Sequence, residues 1–440
     1  MSKDTKGTYE GTTRRKVIQT IGAGATATAL AGCGGLVGDD DDEVRIGHLA
    51  PLDNPLGVGS SRTAEMAIEN IGGEINGENV ELIDADTRAV PSEAQQVAEE
   101  LIQGDDVDIL IGTFQSEVAR SLMELTSDFD VPFLTTGPAD TGISTEFPGA
   151  DYETHKNWFR VGPINTDLQA ESMADYCVQL NEQHDWSDVA FLRDNAAWTE
   201  RFADLVPDYL EERGLNVVLE DAITIENPDL SAVVSDVVAS DADFALRFFA
   251  HIDGGEMLGI WHEAEHEFGI EGIHVNGMLP AYFQLAEGAP LYETTAETGG
   301  GGAAPITDQT VPFVEDYAER YEGEDPPTGA PMYMGFATYD SIHIIREVLE
   351  EIDSTTPRDD LDSFVDAMLD IQYTGVAGEL EFYGPDGEFP HDLMEMRNDD
   401  GEIMNFPITQ WREGDGTGTK ECVFPPEFET AEHVKPHWMR

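Results

Sequence analysis

The chain has 440 residues, 40% of them hydrophobic, which is enough for two ordinary domains and too apolar for an acidic disordered protein. Lys and Arg number 23 against 89 Asp and Glu, and the formal charge of -66 sets the bulk surface against nucleic acid and anionic lipid head groups. Such a charge swells a compact fold in dilute buffer and is screened at molar salt, so the composition reads as adaptation to high salt.

Residues 1–33 stand outside the fold. Thr13-Arg14-Arg15-Lys16-Val17-Ile18 carries twin arginines ahead of apolar residues, and Ile21 to Ala31 is short and rich in Gly and Ala. That run is too short for a membrane span and suits a cleavable twin-arginine export signal. Leu30-Ala31-Gly32-Cys33 has the form of a lipobox, where a lipoprotein is cut and the new terminal Cys33 is acylated. Cleavage before Cys33 removes five bases and two acids, leaving the mature chain three charges more negative. Residues 34–42, rich in Gly and Asp, read as a flexible tether. The expected location is the extracellular face of the cytoplasmic membrane, with lipid as the only membrane contact.

Val44 to Leu49, Val80 to Asp84 and Val107 to Gly112 read as strands, with helices over Ser60 to Ile71 and Ser92 to Gln103 between them. This β-α-β-α-β order needs right-handed crossovers and a parallel sheet. Gly57-Val58-Gly59 after the first strand, with Asp84 ending the second, imitates a dinucleotide fingerprint. Arg62 stands where its third glycine belongs, and the loop from Leu49 to Gly57 is too long for the tight turn.

The stretch from Val107 to Thr141 organises the rest. Its two apolar runs, ending in Gly112 and in Thr135-Thr136, read as adjacent buried strands. Thr113-Phe114-Gln115-Ser116 follows the first and Gly137-Pro138-Ala139-Asp140-Thr141 the second. Ser116 stands where a helix N-cap belongs, with Glu117 in the first turn. Small polar loops at one sheet edge are where open α/β sheets bind ligands, and loop amides with a helix N-terminus can hold a carboxylate.

Gly112-Thr113-Phe114-Gln115-Ser116 resembles the G-x-x-x-S ligand loop of the branched-chain amino acid (Leu/Ile/Val)-binding family, the solute receptors of ABC importers. Pro132-Phe133-Leu134-Thr135-Thr136-Gly137 resembles that family's second ligand loop. The resemblance runs from about Val44 to Trp411 and rests on the order and spacing of several motifs. Gly72-Gly73-Glu74-Ile75, the acidic strand end at Asp84 and the Tyr339-Asp340-Ser341 helix belong to it. It implies an α/β fold of two Rossmann-like parallel-sheet lobes joined by three crossovers, the type I periplasmic-binding fold. The expected bounds are 43–163 and 303–383 for lobe one, 164–302 and 384–425 for lobe two, and 426–440 for a tail. Beyond Gly414 the chain is expected to wrap the surface.

The resemblance also implies a ligand site. Ser116, Gln115, Thr136, Gly137 and Ala139 belong to lobe one, and the 49–57 loop closes over the ligand. From lobe two, Trp198 and His251 cover it, although a core Trp and a plain hydrogen-bonding His are rival readings. Met278 and Leu279 stand where the family carries a Glu for the ligand's ammonium group. Either Asp140 or Asp194 replaces that acid, or the ligand has no ammonium. Branched-chain amino acids come first as ligands, followed by amides, urea and aromatic acids.

Cys177 and Cys422 either pair outside the cell or remain two buried thiols. His262-Glu263-Ala264-Glu265-His266 places two His at i and i+4, but no third metal ligand is evident and a surface helix is the preferred reading. No GxSxG elbow occurs. The sequence therefore reads as a receptor without cofactor, metal or catalysis, whose partners are a small solute and the permease and ATPase of an ABC importer. A sensory receptor on the same fold is the alternative, and an exported enzyme is a more distant one.

Overall fold

The computed structural model describes residues 43–414 and 418–439. The expected export signal, lipobox Cys33 and tether lie outside the described residues.

The short apolar runs bounded by Gly, Pro and acids become strands. β1 (Val44–Ala50), β2 (Glu74–Ile75), β3 (Glu78–Asp86), β4 (Ile109–Gly112), β5 (Phe133–Thr135) and β6 (Trp158–Arg160) form one sheet, ordered β2-β3-β1-β4-β5-β6. Its neighbours are parallel except for the β2–β3 hairpin. β7 (Asp188–Asp194), β8 (Asn216–Ile223), β9 (Phe244–Phe249) and β10 (Gly269–His274) form a second, parallel sheet ordered β10-β9-β7-β8. β4, β5, β9 and β10 are buried along their whole length, as strands covered on both faces must be.

β11 (Thr294–Ala296) starts the return between the sheets. β12 (Tyr373–Thr374) and β13 (Glu379–Leu380) pair as a ribbon. β14 (Ile408–Arg412) and β15 (Thr419–Phe424) complete a three-stranded antiparallel sheet ordered β11-β14-β15.

Several expectations change here. The chain after Gly414 does more than wrap the surface: β15 joins a sheet and buries Cys422, Val423 and Phe424. Its apolar residues are too few among Thr, Lys and Glu to advertise a strand. Past it, the His433 and Trp438 rings dock, His433 on Glu271 at 3.2 Å and Trp438 on Trp261 at 5.2 Å between centroids. Residues 391 and 392, which the expected bounds place in lobe two, attach instead to β6, where the Arg160 amide donates to His391 O at 3.0 Å.

Cys177 and Cys422 are separate buried thiols, so the disulfide option falls away. Burial pushes the Cys422 thiol up to about 12. The Gly255–Ala264 helix ends before His266, because Glu265 turns left-handed at φ 50°. His262 and His266 therefore do not share a helical face. Gly57 and Gly59 lie inside the Pro55–Asn70 helix, and a Cβ on Gly57 would sit 2.2 Å from Pro51 O. That glycine serves close backbone packing and cradles no phosphate.

Candidate ligand-binding site

β4 and β5 end side by side, with Gly112 opposite Thr135. At Gly112 φ is 115°, and a Cβ there would lie 2.3 Å from Leu49 O, so the turn needs glycine. The turn leads into the Ser116–Asp128 helix. Gln115 is its N-cap, and Ser116 is the first residue inside it rather than the cap itself. Gln115 makes no side-chain capping bond. The first-turn N–H groups, which have no intrahelical acceptor, are left for a ligand.

The second loop is locked to the first. Ser116 Oγ accepts the Asp140 N–H at 3.3 Å. A Cβ on Gly137 would meet Thr113 O at 2.5 Å and Phe114 Cα at 2.9 Å, so the loops nest only around a glycine. Beneath them Arg160 is fully buried. It donates to the carbonyls of Pro138 and Asp140, and its Nε lies 2.5 Å from Asp392 Oδ1.

The facing wall comes from the second sheet. β7 ends at the buried Asp194, whose Oδ2 accepts the N–H groups of Ala250 at 2.8 Å and His251 at 2.7 Å, and Trp198 Nε1 at 3.3 Å. One carboxylate thus holds the Trp198 ring and the His251 main chain. The His251 ring meets Phe114 edge-on at 5.9 Å, joining the two walls.

Between the walls lies a cavity lined from both sheets. Of the residues singled out in the sequence, Gln115, Ser116, Gly137, Ala139, Trp198, His251 and Met278 line it. Thr136 does not. Its hydroxyl accepts from Thr338 Oγ1 at 3.2 Å, at the end of a chain running through the buried Ser60 and His48 out to Asp84. Leu279 and the 49–57 loop also lie off the cavity.

Sequence reasoning missed Phe114, Tyr333 and Phe406, which add aromatic wall, and above all Glu297. Glu297 is 1% exposed. Its Oε1 accepts from Lys420 Nζ at 2.8 Å, and Lys420 also donates to Met278 O at 2.7 Å. Its Oε2 is buried without a partner among the described residues. Burial raises the Glu297 carboxyl above its ordinary range against the pull of Lys420. Neither Asp140 nor Asp194 lines the cavity. Asp140 is held by Arg120 Nε at 2.5 Å and by the Gly142 N–H at 2.8 Å.

An uncapped helix start, a ring of aromatic faces and a single carboxylate make a site that binds. Residues 43–402 match the periplasmic binding protein family. The chain belongs to that family. The Leu/Ile/Val-binding protein homolog 3 of Brucella melitensis is 25% identical over 371 residues, spanning 83% of this chain and 94% of the relative. A putative branched-chain amino acid ABC transporter structure from Silicibacter pomeroyi superposes with a TM-score of 0.76 at 19% identity, covering 90% of this chain and 100% of that one. A Rhodopseudomonas palustris ABC-transporter solute-binding protein, solved with 3,4-dihydroxybenzoic acid, gives 0.71 at 18% identity, covering 90% and 99%. The two parallel sheets are the two lobes of the type I fold, and this binding protein holds its cavity between them. The segment matched to the family stops before β14 and β15 begin, so Lys420 lies beyond it.

Proposed function

We propose that this protein is the lipid-anchored extracellular receptor of an ABC importer, taking an apolar amino acid or similar small carboxylate and passing it to the permease. The observation that carries the reading is the uncapped start of the Ser116–Asp128 helix at the cavity wall, faced by Trp198 and His251. The helix N–H groups and dipole suit a carboxylate, and the apolar wall suits a hydrocarbon body. Branched-chain amino acids lead. The aromatic wall of Phe114, Trp198, Tyr333 and Phe406 favours aromatic acids as the second class.

The solute leaves unchanged in this reading. Asp84, His48 and Ser60 have the residue types of a nucleophilic triad, but His48 and Ser60 are fully buried off the cavity wall and Ser60 Oγ is bonded to Thr338 at 2.7 Å.

A thermal-shift screen at molar salt over amino acids, amides, urea and aromatic acids tests the reading, because a ligand bound only by the native state raises the melting temperature. Ser116→Ala is expected to weaken the hit by about 1–3 kcal/mol, through a lost hydrogen bond and a looser Asp140 loop. Unchanged affinity in that variant would move the site elsewhere.

Anchoring is tested separately. Cys33→Ser should release the protein into the medium or leave an uncleaved precursor. A variant that stays on the membrane at the same mature mass overturns the lipobox reading.

A further inference from the structure

The segment after β15 is fastened to lobe two at separate points. Val434 is clamped to β14, its N–H on Gln410 Oε1 and its carbonyl on Gln410 Nε2, both at 3.0 Å. Trp438 Nε1 donates to His266 O at 3.0 Å. His437 meets the Tyr292 hydroxyl at 3.4 Å, a partner that can accept from a protonated ring or donate to a neutral one. The segment lies beyond residues 43–402, and none of the groups named here lines the solute cavity.

His433 is the buried fastening, and its hydrogens can be counted. Glu271 Oε2 accepts from Tyr176 at 2.7 Å and from Thr294 at 2.6 Å, and its Oε1 meets His433 Nε2 at 3.2 Å. A carboxylate with three such partners is an acceptor throughout, so His433 Nε2 carries a hydrogen. On the other side of the ring, His433 Nδ1 faces Nε2 of His184 at 2.7 Å, at the end of the Thr166–His184 helix. One hydrogen fits between those two nitrogens, so one of them must keep its lone pair. With both rings fully protonated, N–H meets N–H and two cations stand in contact.

The surroundings reinforce that conflict. Burial, the His433 ring and Lys435 of the segment together hold His184 down to about 4, against the pull of Glu271 from β10. Arg412 of β14 and the Cys177 thiol also act on Glu271, and Trp186 flanks both rings at 4.9 and 5.8 Å between centroids. A released His184 takes its proton near the ordinary 6.5, so the docked arrangement loses stability as pH falls from there toward 4. Among the described residues no group of three His, Cys, Asp or Glu is placed to hold a metal ion, and Glu271 meets the far side of the His433 ring.

We propose that His184 and His433 form a proton-released clasp: their facing ring nitrogens hold residues 430–439 on lobe two near neutral pH, and protonation of both rings lets that segment go while the lobes stay folded. Hydrogen exchange on the full-length protein at molar salt, followed by mass spectrometry from pH 7 to pH 4 and corrected for the intrinsic pH dependence of exchange, tests it at the Val434 amide. Protection there is expected to fall about 10-fold or more across the range, while the Thr166–His184 helix and β9 keep theirs. His184→Gln and His433→Gln replace an imidazole by a side-chain amide that takes no proton in this range. In either variant, protection at Val434 should be the same at pH 7 and pH 4, whatever its level. Unchanged protection in the wild type overturns the clasp. A fall that persists in both variants overturns it by moving the titration to another group, Glu271 first. Loss shared by the helix and β9 overturns it as general acid unfolding. A chelator that loosens the segment at pH 7 overturns it by placing a metal between the rings.

Discussion

Asp392→Ala is expected to destabilise the fold by about 3–5 kcal/mol, the cost of leaving a buried charge without its partner. Arg160 and Asp392 are both fully buried, with Arg160 Nε and Asp392 Oδ1 at 2.5 Å. Asp392 Oδ2 also accepts from Asn165 at 2.8 Å and Ser144 at 3.0 Å, so three side chains lose a partner together. Denaturant unfolding at fixed molar salt measures the loss. A shift below about 1 kcal/mol, the range of exposed pairs, would mean that the pair is not buried as described. The double variant R160M/D392L separates stability from function. Replacing a buried pair by apolar side chains can restore stability. It cannot restore the guanidinium that holds the carbonyls of Pro138 and Asp140, so the second ligand loop stays loose. A stable R160M/D392L that binds its solute weakly is the expected outcome. Full affinity in that variant would show that Arg160 serves only the core.

The lobe-one loops were legible because their geometry is local. Gly112 and Gly137 sit where a Cβ meets neighbouring backbone, and Ser116 follows at the helix start. Those are sequence-adjacent constraints that glycine and small polar residues announce. Thr136 was misplaced for a different reason. It lies beside a true wall residue, and only packing against Thr338 decides which way its hydroxyl turns. Ser116 was read as the cap when the cap is Gln115, a one-residue difference that helix ends commonly show. Glu297 was not legible at all. Its partner Lys420 is 123 positions away, on a strand masked by polar residues. With Met278 and Leu279 at the family's acid position, the acid was sought at Asp140 or Asp194, and the fold instead ties Met278 O to the lysine bonded to Glu297. The tail was opaque in the same way, since His433 and Trp438 find their partners only once the second lobe exists.

Dilution from molar to millimolar salt is expected to lower the melting temperature steeply and, at the low end, to unfold or loosen the chain. With 23 bases against 89 acids, most carboxylates have no basic side chain to pair with, whatever the fold. Their repulsion acts over about 3 Å at 1 M salt and about 30 Å at 0.01 M, so at low salt each surface acid feels many others at once. The internal pairs behave differently. Arg160–Asp392 and Arg247–Glu293 are fully buried and are screened little, so they supply the same stability at either salt. The salt dependence must therefore come from the surface, and it should appear as a monotonic rise in melting temperature with salt. Bound solute shifts the whole curve upward without changing its direction, because mass action adds to native stability at every salt concentration where the solute still binds. A melting temperature flat from millimolar to molar salt would mean that the acidic surface is tolerated without screening, and the reading of the composition as salt adaptation would fall.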